Sequence, residues 1–536
     1  MLQKQASSAP ADAAAAARRT ARFLVPAALA LLFLLHAGLR EHGRRLPMMS
    51  DEGEYACQAR LLAEGGVPYR DAFNQKPPMV FFLYRAAFGL FGENEEAPRL
   101  LATLFGCATL LALFFLLPGR WGTAPRLCAA ASFAVLSTEP MGDFSFAANT
   151  EVFLCAWLAF CALWARKAWE GGGTRAALLA GLFAGAGLAT KQTALWAALA
   201  LGACAALHAP RGARARVAAA FALGGALVPA AFAAYFLARG GLPALVEQAL
   251  RRNLDYAGLL AVPGGARMQL GWFARTLAPQ MLFGNWPLLL LALFGLAARP
   301  AGEDAPLERL CALWLAAALL GALTGLFLFP HYFLPAAPPL ALCAALGVRR
   351  LSARLPRAAL LIGLLAALYP AAAWSTVYFR EGPERVARRL LYPNPLYEAR
   401  AAADFIRENS AETDRVYVFG SEPQLYFRAR RRWATPHIFV YPLTLFPRGM
   451  GDAEAELARL REAPPRFLVY STFPASTLVA TAPGRRLEEG VRDLLARRYR
   501  PRGWVQALPD GMRDELGKEA PAGTPADALL VYERSR

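Results

Sequence analysis

The sequence has no G-x-x-x-x-G-K-[S/T] loop, no G-x-S-x-G and no H-E-x-x-H. Cytosolic nucleotide hydrolysis, nucleophile-elbow hydrolysis and zincin chemistry therefore lack their signatures. Its eight cysteines show no metal-ligand or disulfide spacing. Cys107, Cys128, Cys155, Cys161, Cys204, Cys311 and Cys343 lie in apolar runs, where a thiol behaves as a small hydrophobe, and Cys57 stands alone. The C-terminal region has none, so no disulfide framework holds it. Charge is sparse too: 18% of residues are charged against 56% hydrophobic, with a mean hydropathy of +0.30. That excludes a soluble protein of ordinary make-up. Lysine is scarce, and the net charge of +18 comes mostly from arginine. No basic stripe interleaves with aromatics, so topology and anionic headgroups explain the charge, and nucleic acid is not expected as a partner. No internal repeat is evident.

What is present is a series of apolar runs near the about 20 residues that cross a bilayer. They fall at about 22–39, 98–118, 125–142, 150–166, 175–189, 192–208, 216–238, 281–298, 309–329, 332–348 and 358–379, about eleven in all. Residues 1–20 are expected to be a disordered cytoplasmic N-terminus ahead of a retained anchor, since no convincing A-x-A site follows the first run. Alternating orientation puts Arg120, Arg126, Arg166, Lys167, Arg175, Arg211, Arg214, Arg216, Arg299, Arg309, Arg349, Arg350, Arg354 and Arg357 on one side. By the positive-inside rule that side is cytoplasmic. Loops 40–97 and 239–280, and everything after about residue 380, then lie outside.

The region 381–536 changes character. "EARAAADFIRENS" reads as an amphipathic helix and "RVYVFG" as a strand ending at Gly420. "AEAELARLREAPPRFLVYS" repeats the pattern, and "ALLVYERS" supplies a third strand. The expected fold class is a polytopic α-helical membrane protein, residues 21–380, carrying a C-terminal extracytoplasmic α/β domain.

Between the first two runs lies "SDEGEYACQARLLAEGGVPYRDAFNQKPP", at residues 50–78. Ser50 suits an N-cap, and Asp51 and Glu52 suit the positive end of a helix dipole. Acids at a membrane boundary equally suit a functional site. Lys76 is restrained by Pro77 to extended backbone, either to snorkel to lipid or to meet one phosphate. Glu151, in "FSFAANTEVFL", opens the fourth run where Asn149 or Thr150 can cap, and Asp143 is the competing acid. Lys191, in "GLATKQTALW", sits near membrane depth, where an uncompensated charge costs ~2.5–3.5 kcal/mol, so it needs a polar cavity or a partner. "FPHYFLPAAPPLAL" places His331 and Tyr332 at the mouth of the tenth run. Zinc is conceivable there, although no ligand pair has metal spacing. Arg251 and Arg252 lie on an amphipathic segment, where lipid-headgroup contact is the ordinary explanation.

The order of these motifs resembles the GT-C glycosyltransferases that use polyprenyl-phosphate sugars, nearest to protein O-mannosyltransferase-like and lipid A aminoarabinose transferase-like enzymes. "DEGEY" at 51–55, "KPP" at 76–78, "FGENEEAPRL", "ANTEVF", "LATKQTAL" and "HYFLPAAPPLAL" carry the resemblance across roughly residues 20–350. It implies that Asp51 is the catalytic acid of the first outer loop with Glu52 and Tyr55 beside it, and that Glu151 is the second acidic position. It also implies that Lys76 binds the donor phosphate; because a phosphate leaving group needs positive charge and hydrogen-bond donors, Arg251, Arg252, Lys191, His331 and Tyr332 are the further candidates. The chain departs from the pattern at Glu54, where aminoarabinose transferases tend to have arginine. The partners implied are a polyprenyl-phosphate sugar, a lipid, glycan or protein acceptor, and the bilayer. The implied setting is a bacterial inner (plasma) membrane, with a divalent metal a possible cofactor. A ligase or polymerase of lipid-linked polysaccharide, a flippase of lipid-linked sugar and a receptor-like protein are the rival readings. A transporter would be expected to show two related halves.

Overall fold

The computed structural model describes residues 9–140, 147–258, 265–392, 394–446, 450–518 and 524–535. The first helix spans Ala9–Arg44 and so begins within the segment 1–20. Alanines 13–17 favour that start, because alanine is the strongest helix former.

Seven apolar helical stretches among the described residues are long enough to cross a membrane: Phe23–Arg44, Ala97–Leu116, Thr150–Thr190, Arg211–Ala238, Arg267–Leu296, Gly302–Leu323 and Pro330–Arg354. This is a multi-pass membrane protein. The stretch Thr150–Thr190 is two helices, Thr150–Lys167 and Gly173–Thr190, because Gly171 leaves helical geometry at φ 113°. Three of the expected crossings are short helices, Thr123–Leu136, Ala194–His208 and Ala359–Ala373. A further short apolar helix, Met79–Phe91, lies inside the loop expected at 40–97.

Two helices meet at backbone distance through glycine. A Cβ on Gly181 would lie 2.1 Å from the Phe221 carbonyl oxygen, and one on Gly224 would lie 2.2 Å from that of Leu178. Small residues at such a crossing let dispersion act where lipid offers no hydrophobic drive. At one end of the bundle Arg120 pairs with Asp304 at 2.5 Å and Arg349 with Glu308 at 2.9 Å. The opposite end carries the Ser50–Ala63 helix and the C-terminal domain.

That domain is a mixed six-stranded sheet in the order β2-β1-β3-β6-β4-β5. The strands are β1 (Arg415–Phe419), β2 (Arg432–Trp433), β3 (Phe467–Ser471), β4 (Tyr499–Leu508), β5 (Gly511–Asp514) and β6 (Ala528–Arg534). β1 runs parallel to β2 and β3, while β6 is antiparallel to β3 and β4. Alternation sorts the faces. Val416, Val418, Phe467 and Val469 share a core with Ala402 and Ile406 of the Leu396–Glu408 helix. Tyr417, Phe419, Leu468 and Tyr470 pack instead with Val491 and Leu494 of the Ala482–Arg498 helix. The sequence reading found β1, β3 and β6 but missed β4. Pro501 and Gly503 mimic a turn there, and the register shifts between them.

The domain docks on the Ser50–Ala63 helix. Arg60 donates to the Phe427 carbonyl at 2.9 Å, and Cys57 Sγ lies 3.4 Å from that of Pro423. A Cβ on Gly53 would stand 2.2 Å from the Gln424 nitrogen, so only glycine admits this approach.

Candidate active site

The Ser50–Ala63 helix is set by one buried ion pair. Its N-cap is Met49, one residue before the expected Ser50. Glu52 does the capping, accepting the Met49 N–H at 3.0 Å. The same carboxylate accepts the Ala148 N–H at 2.8 Å and Arg99 Nε at 2.9 Å. Arg99 also donates to the carbonyls of Leu46 at 2.6 Å, Gly43 at 3.0 Å and Pro47 at 3.0 Å. Glu52 is 0% and Arg99 2% exposed. Consecutive helical side chains diverge by about 100°, so Glu52 points into this scaffold while Asp51 points elsewhere. Glu52, expected beside Asp51, has its oxygens on Arg99 and on the Met49 and Ala148 N–H groups.

Asp51 faces Lys76, whose Nζ is 3.5 Å from Asp51 Oδ2. Tyr55 OH lies 3.4 Å from the same oxygen. Lys76 is held by its backbone. Its N–H donates to Asn74 Oδ1 at 2.9 Å, its carbonyl accepts Tyr69 OH at 2.7 Å, and Pro77 follows. The preceding Gln75 carbonyl accepts Asn253 Nδ2 at 2.7 Å and Gln192 Nε2 at 3.3 Å. Burial alone would raise the Asp51 pKa, but Lys76, His331 and Lys191 outweigh it and hold the carboxyl below its ordinary value. Burial works against the Lys76 charge in turn. Asp51 first, then Glu54, reverse this and lift its pKa above the lysine range.

The second half of the site comes from three other segments. Lys191, in extended backbone at φ −154° just after the Gly173–Thr190 helix, pairs with buried Glu151 at the start of Thr150–Lys167. Thr150 Oγ1 donates to Glu151 at 2.9 Å, and His331 Nε2 lies 3.9 Å from it. Lys191 Nζ sits 3.9 Å over the Tyr332 ring, a cation–π position. Because Lys191, His331 and Glu151 all act on Asp51, the two halves share one field. Asn149 occupies the N-cap position of Thr150–Lys167 yet makes no capping bond, and both its side-chain polar atoms are buried without a hydrogen-bond partner among the described residues.

Residues 75–237 match the family model described as dolichyl-phosphate-mannose-protein mannosyltransferase. Among solved structures, ArnT from Cupriavidus metallidurans in the apo state is similar over 96% of this chain and 98% of its own, with a TM-score of 0.58 at 15% identity. ArnT bound to undecaprenyl phosphate gives 95%, 97%, 0.57 and 15%. This chain has the GT-C fold. The archaeal oligosaccharyltransferase AglB from Archaeoglobus fulgidus, in complex with an inhibitory peptide and a dolichol-phosphate, is similar over 96% of this chain and 76% of its own, with a TM-score of 0.54 at 13% identity. No curated protein matches the chain in sequence.

Within this GT-C architecture the remaining candidates fall outside the cluster. Arg251 is exposed and lies 3.4 Å from Glu247. Arg252 pairs with Asp452 of the C-terminal domain at 2.6 Å, so it ties domain to bundle. Asp143 lies outside the described residues. No three His, Cys, Asp or Glu side chains gather at metal-holding distance among the described residues, and the Lys191 ammonium takes the place on Glu151 that a metal ion would need. Among the described residues the site therefore offers no donor set for a divalent cation between Glu151 and His331.

Sequence reasoning gave no role to three residues here. Arg99 sits inside the quoted "FGENEEAPRL", but only its depth reveals it as the partner of Glu52. Tyr441, from the C-terminal domain, donates to Gln75 Oε1 at 3.1 Å and influences Lys76. Glu54 had a signal, its departure from the family pattern, and the structure buries it beside Asp51 and Lys76.

Proposed function

We propose that the protein is a membrane glycosyltransferase that moves a sugar from a polyprenyl-phosphate donor to an acceptor hydroxyl at the extracytoplasmic face. The observation that carries this reading is the pairing of a partly exposed carboxylate with a pinned lysine, Asp51 Oδ2 to Lys76 Nζ at 3.5 Å, at the end of an apolar bundle. The donor's phosphate needs positive charge and its tail needs hydrocarbon, and the bundle end offers both. ArnT and AglB, which share the fold, are seen with undecaprenyl phosphate and dolichol-phosphate respectively.

Lys76 and Lys191 hold the phosphate, with His331 and Tyr332 at its edge. In the empty site Lys76 neutralises Asp51. A bound phosphodiester competes for that ammonium, which frees the carboxylate and raises its basicity toward the working pH. Asp51 then takes the proton of the acceptor hydroxyl as its oxygen attacks the anomeric carbon. The new C–O bond forms while the C–O bond to phosphate breaks, and the electron pair leaves on polyprenyl phosphate. One displacement inverts the anomeric centre. The leaving group is already an anion, so no acid is required. Glu151 keeps Lys191 charged and aimed.

The face follows from the arginines, which would lie on the cytoplasmic side at the opposite end. The sheet domain would be periplasmic in a bacterial inner membrane. Asp51→Asn is expected to lower transfer by roughly 10²–10⁴-fold while leaving donor binding intact. Lys76→Ala is expected to weaken binding of polyprenyl phosphate itself. Undiminished transfer by Asp51→Asn, measured with purified protein in liposomes, would remove the base role.

A further inference from the structure

Three successive glycines, Gly171, Gly172 and Gly173, break the apolar stretch Thr150–Thr190 at the end away from Glu151. The 18-residue helix between them is about 27 Å long, close to one hydrocarbon thickness. Beside the break lies an open cavity of about 360 Å³, lined in part by Trp164, Lys167, Glu170, Arg175 and Leu179. Its one acid, Glu170, is taken by Arg166 at 2.9 Å. Lys167 Nζ lies 4.1 Å over the Trp164 ring, and among the described residues neither Lys167 nor Arg175 meets a carboxylate. The hollow is cationic.

Below it the surface turns apolar. Leu179 lies one turn from Arg175 along the Gly173–Thr190 helix, and Phe183 lies one turn further. Phe183 stacks on Phe160 at 5.2 Å and on Trp157 at 6.3 Å, both on the Thr150–Lys167 helix that carries Trp164. Leu179 and these rings are partly exposed. We propose that the cavity binds the phosphate of one anionic phospholipid, whose acyl chains lie along the Phe160 and Phe183 face. The inference goes beyond sugar transfer and does not depend on it. The Arg175 guanidinium presents paired N–H donors to phosphate oxygens, and Lys167 adds a point charge. Trp164 suits headgroup level, where an indole meets hydrocarbon on one side and water on the other. A free phosphate ion would satisfy the two cations but leave Leu179 and the rings uncovered. A phospholipid satisfies both.

The test is native mass spectrometry of the purified full chain in detergent, titrated with phosphatidylglycerol or with phosphatidylcholine of the same acyl chains. The parent is expected to hold phosphatidylglycerol about tenfold more tightly. The double variant Lys167→Gln, Arg175→Gln is expected to lose that preference. Arg211→Gln with Arg216→Gln, which removes the same charge from exposed positions outside the cavity, is expected to keep it. So is Lys76→Ala, which disables the proposed donor site. Equal affinity of the parent for the two lipids overturns the inference, as does a preference kept by the cavity variant or lost in either control. Displacement of phosphatidylglycerol by an equal concentration of inorganic phosphate overturns it too, because the site would then read a free anion. The parental comparison needs no variant, so a folding defect in the cavity variant leaves the test standing. Failure here leaves the transferase reading, which stands on Asp51 and Lys76, untouched.

Discussion

Asp51 and Glu52 are neighbours with opposite duties. Glu52 is sealed with Arg99 under the helix start, where its oxygens hold two backbone N–H groups. Removing one partner of such a pair leaves a buried charge unsatisfied, at a cost of about 3–5 kcal/mol. Arg99→Ala is therefore expected to destabilise the protein by that amount in denaturant or thermal unfolding. Asp51 is set by its field instead. Its pKa lies below the ordinary value near ~3.9, so its ionised form adds stability above the unfolded pKa, and that stability is lost as pH falls through the folded one. The same sign governs activity: the acid limb of donor-free titration, followed by carboxyl NMR, is expected below pH ~4 in the parent. Lys76→Ala is expected to move it upward. At this scale the sequence singled out Asp51, Lys76, Glu151, Lys191 and His331, which the structure gathers into one cluster, because acids and lysines are rare enough near apolar runs to stand out. It was not legible for Glu52, since a capping acid and a catalytic acid look alike before burial is known. Arg251 and Arg252 lie apart from that cluster, and the partner of Arg252, Asp452, lies in a separate domain far along the chain.

Elements carry the site through close approach. The Ser50–Ala63 helix accepts the C-terminal domain because Gly53 has no Cβ, and Gln424 backbone fills the space. Gly53→Ala has to push the domain away from the catalytic helix. Local proteolysis or hydrogen exchange around residues 422–429 is expected to increase, with Lys76 mobility rising through Tyr441 and Gln75. The Gly181 and Gly224 crossing makes the same use of glycine within the membrane, and Gly181→Leu is expected to lower the unfolding temperature without touching the site. Helices were readable from apolar runs. Their lengths were not, because the run expected at 125–142 absorbs the polar Ser137, Thr138 and Glu139 that follow the Thr123–Leu136 helix. β4 was hidden by its own proline and glycine, which the sheet tolerates at a bulge.

The whole molecule is an apolar bundle with ion pairs of Arg120 and Arg349 at one end and the Ser50–Ala63 helix, docked against a mixed sheet, at the other. Each half of the site comes from a different part of the chain: Asp51 and Lys76 from the first loop, Glu151 and Lys191 from the helical hairpin, His331 from the segment before the Ala337–Arg354 helix. Such a site forms only when the bundle folds as a unit, so variants that loosen the bundle also reduce activity without altering any catalytic group. The sheet domain contributes Tyr441 and the Arg252–Asp452 pair, which bring it against the proposed site. The most direct test of the central claim counts both products of one turnover. Purified protein in liposomes is supplied with a polyprenyl-phosphate sugar and an acceptor, and free polyprenyl phosphate and glycosylated acceptor are quantified together by mass spectrometry. The account predicts equal amounts of the two, an inverted anomeric centre, and loss of both with Asp51→Asn. Glycosylated acceptor at parental yield with Asp51→Asn, or with a retained anomeric centre, would contradict it.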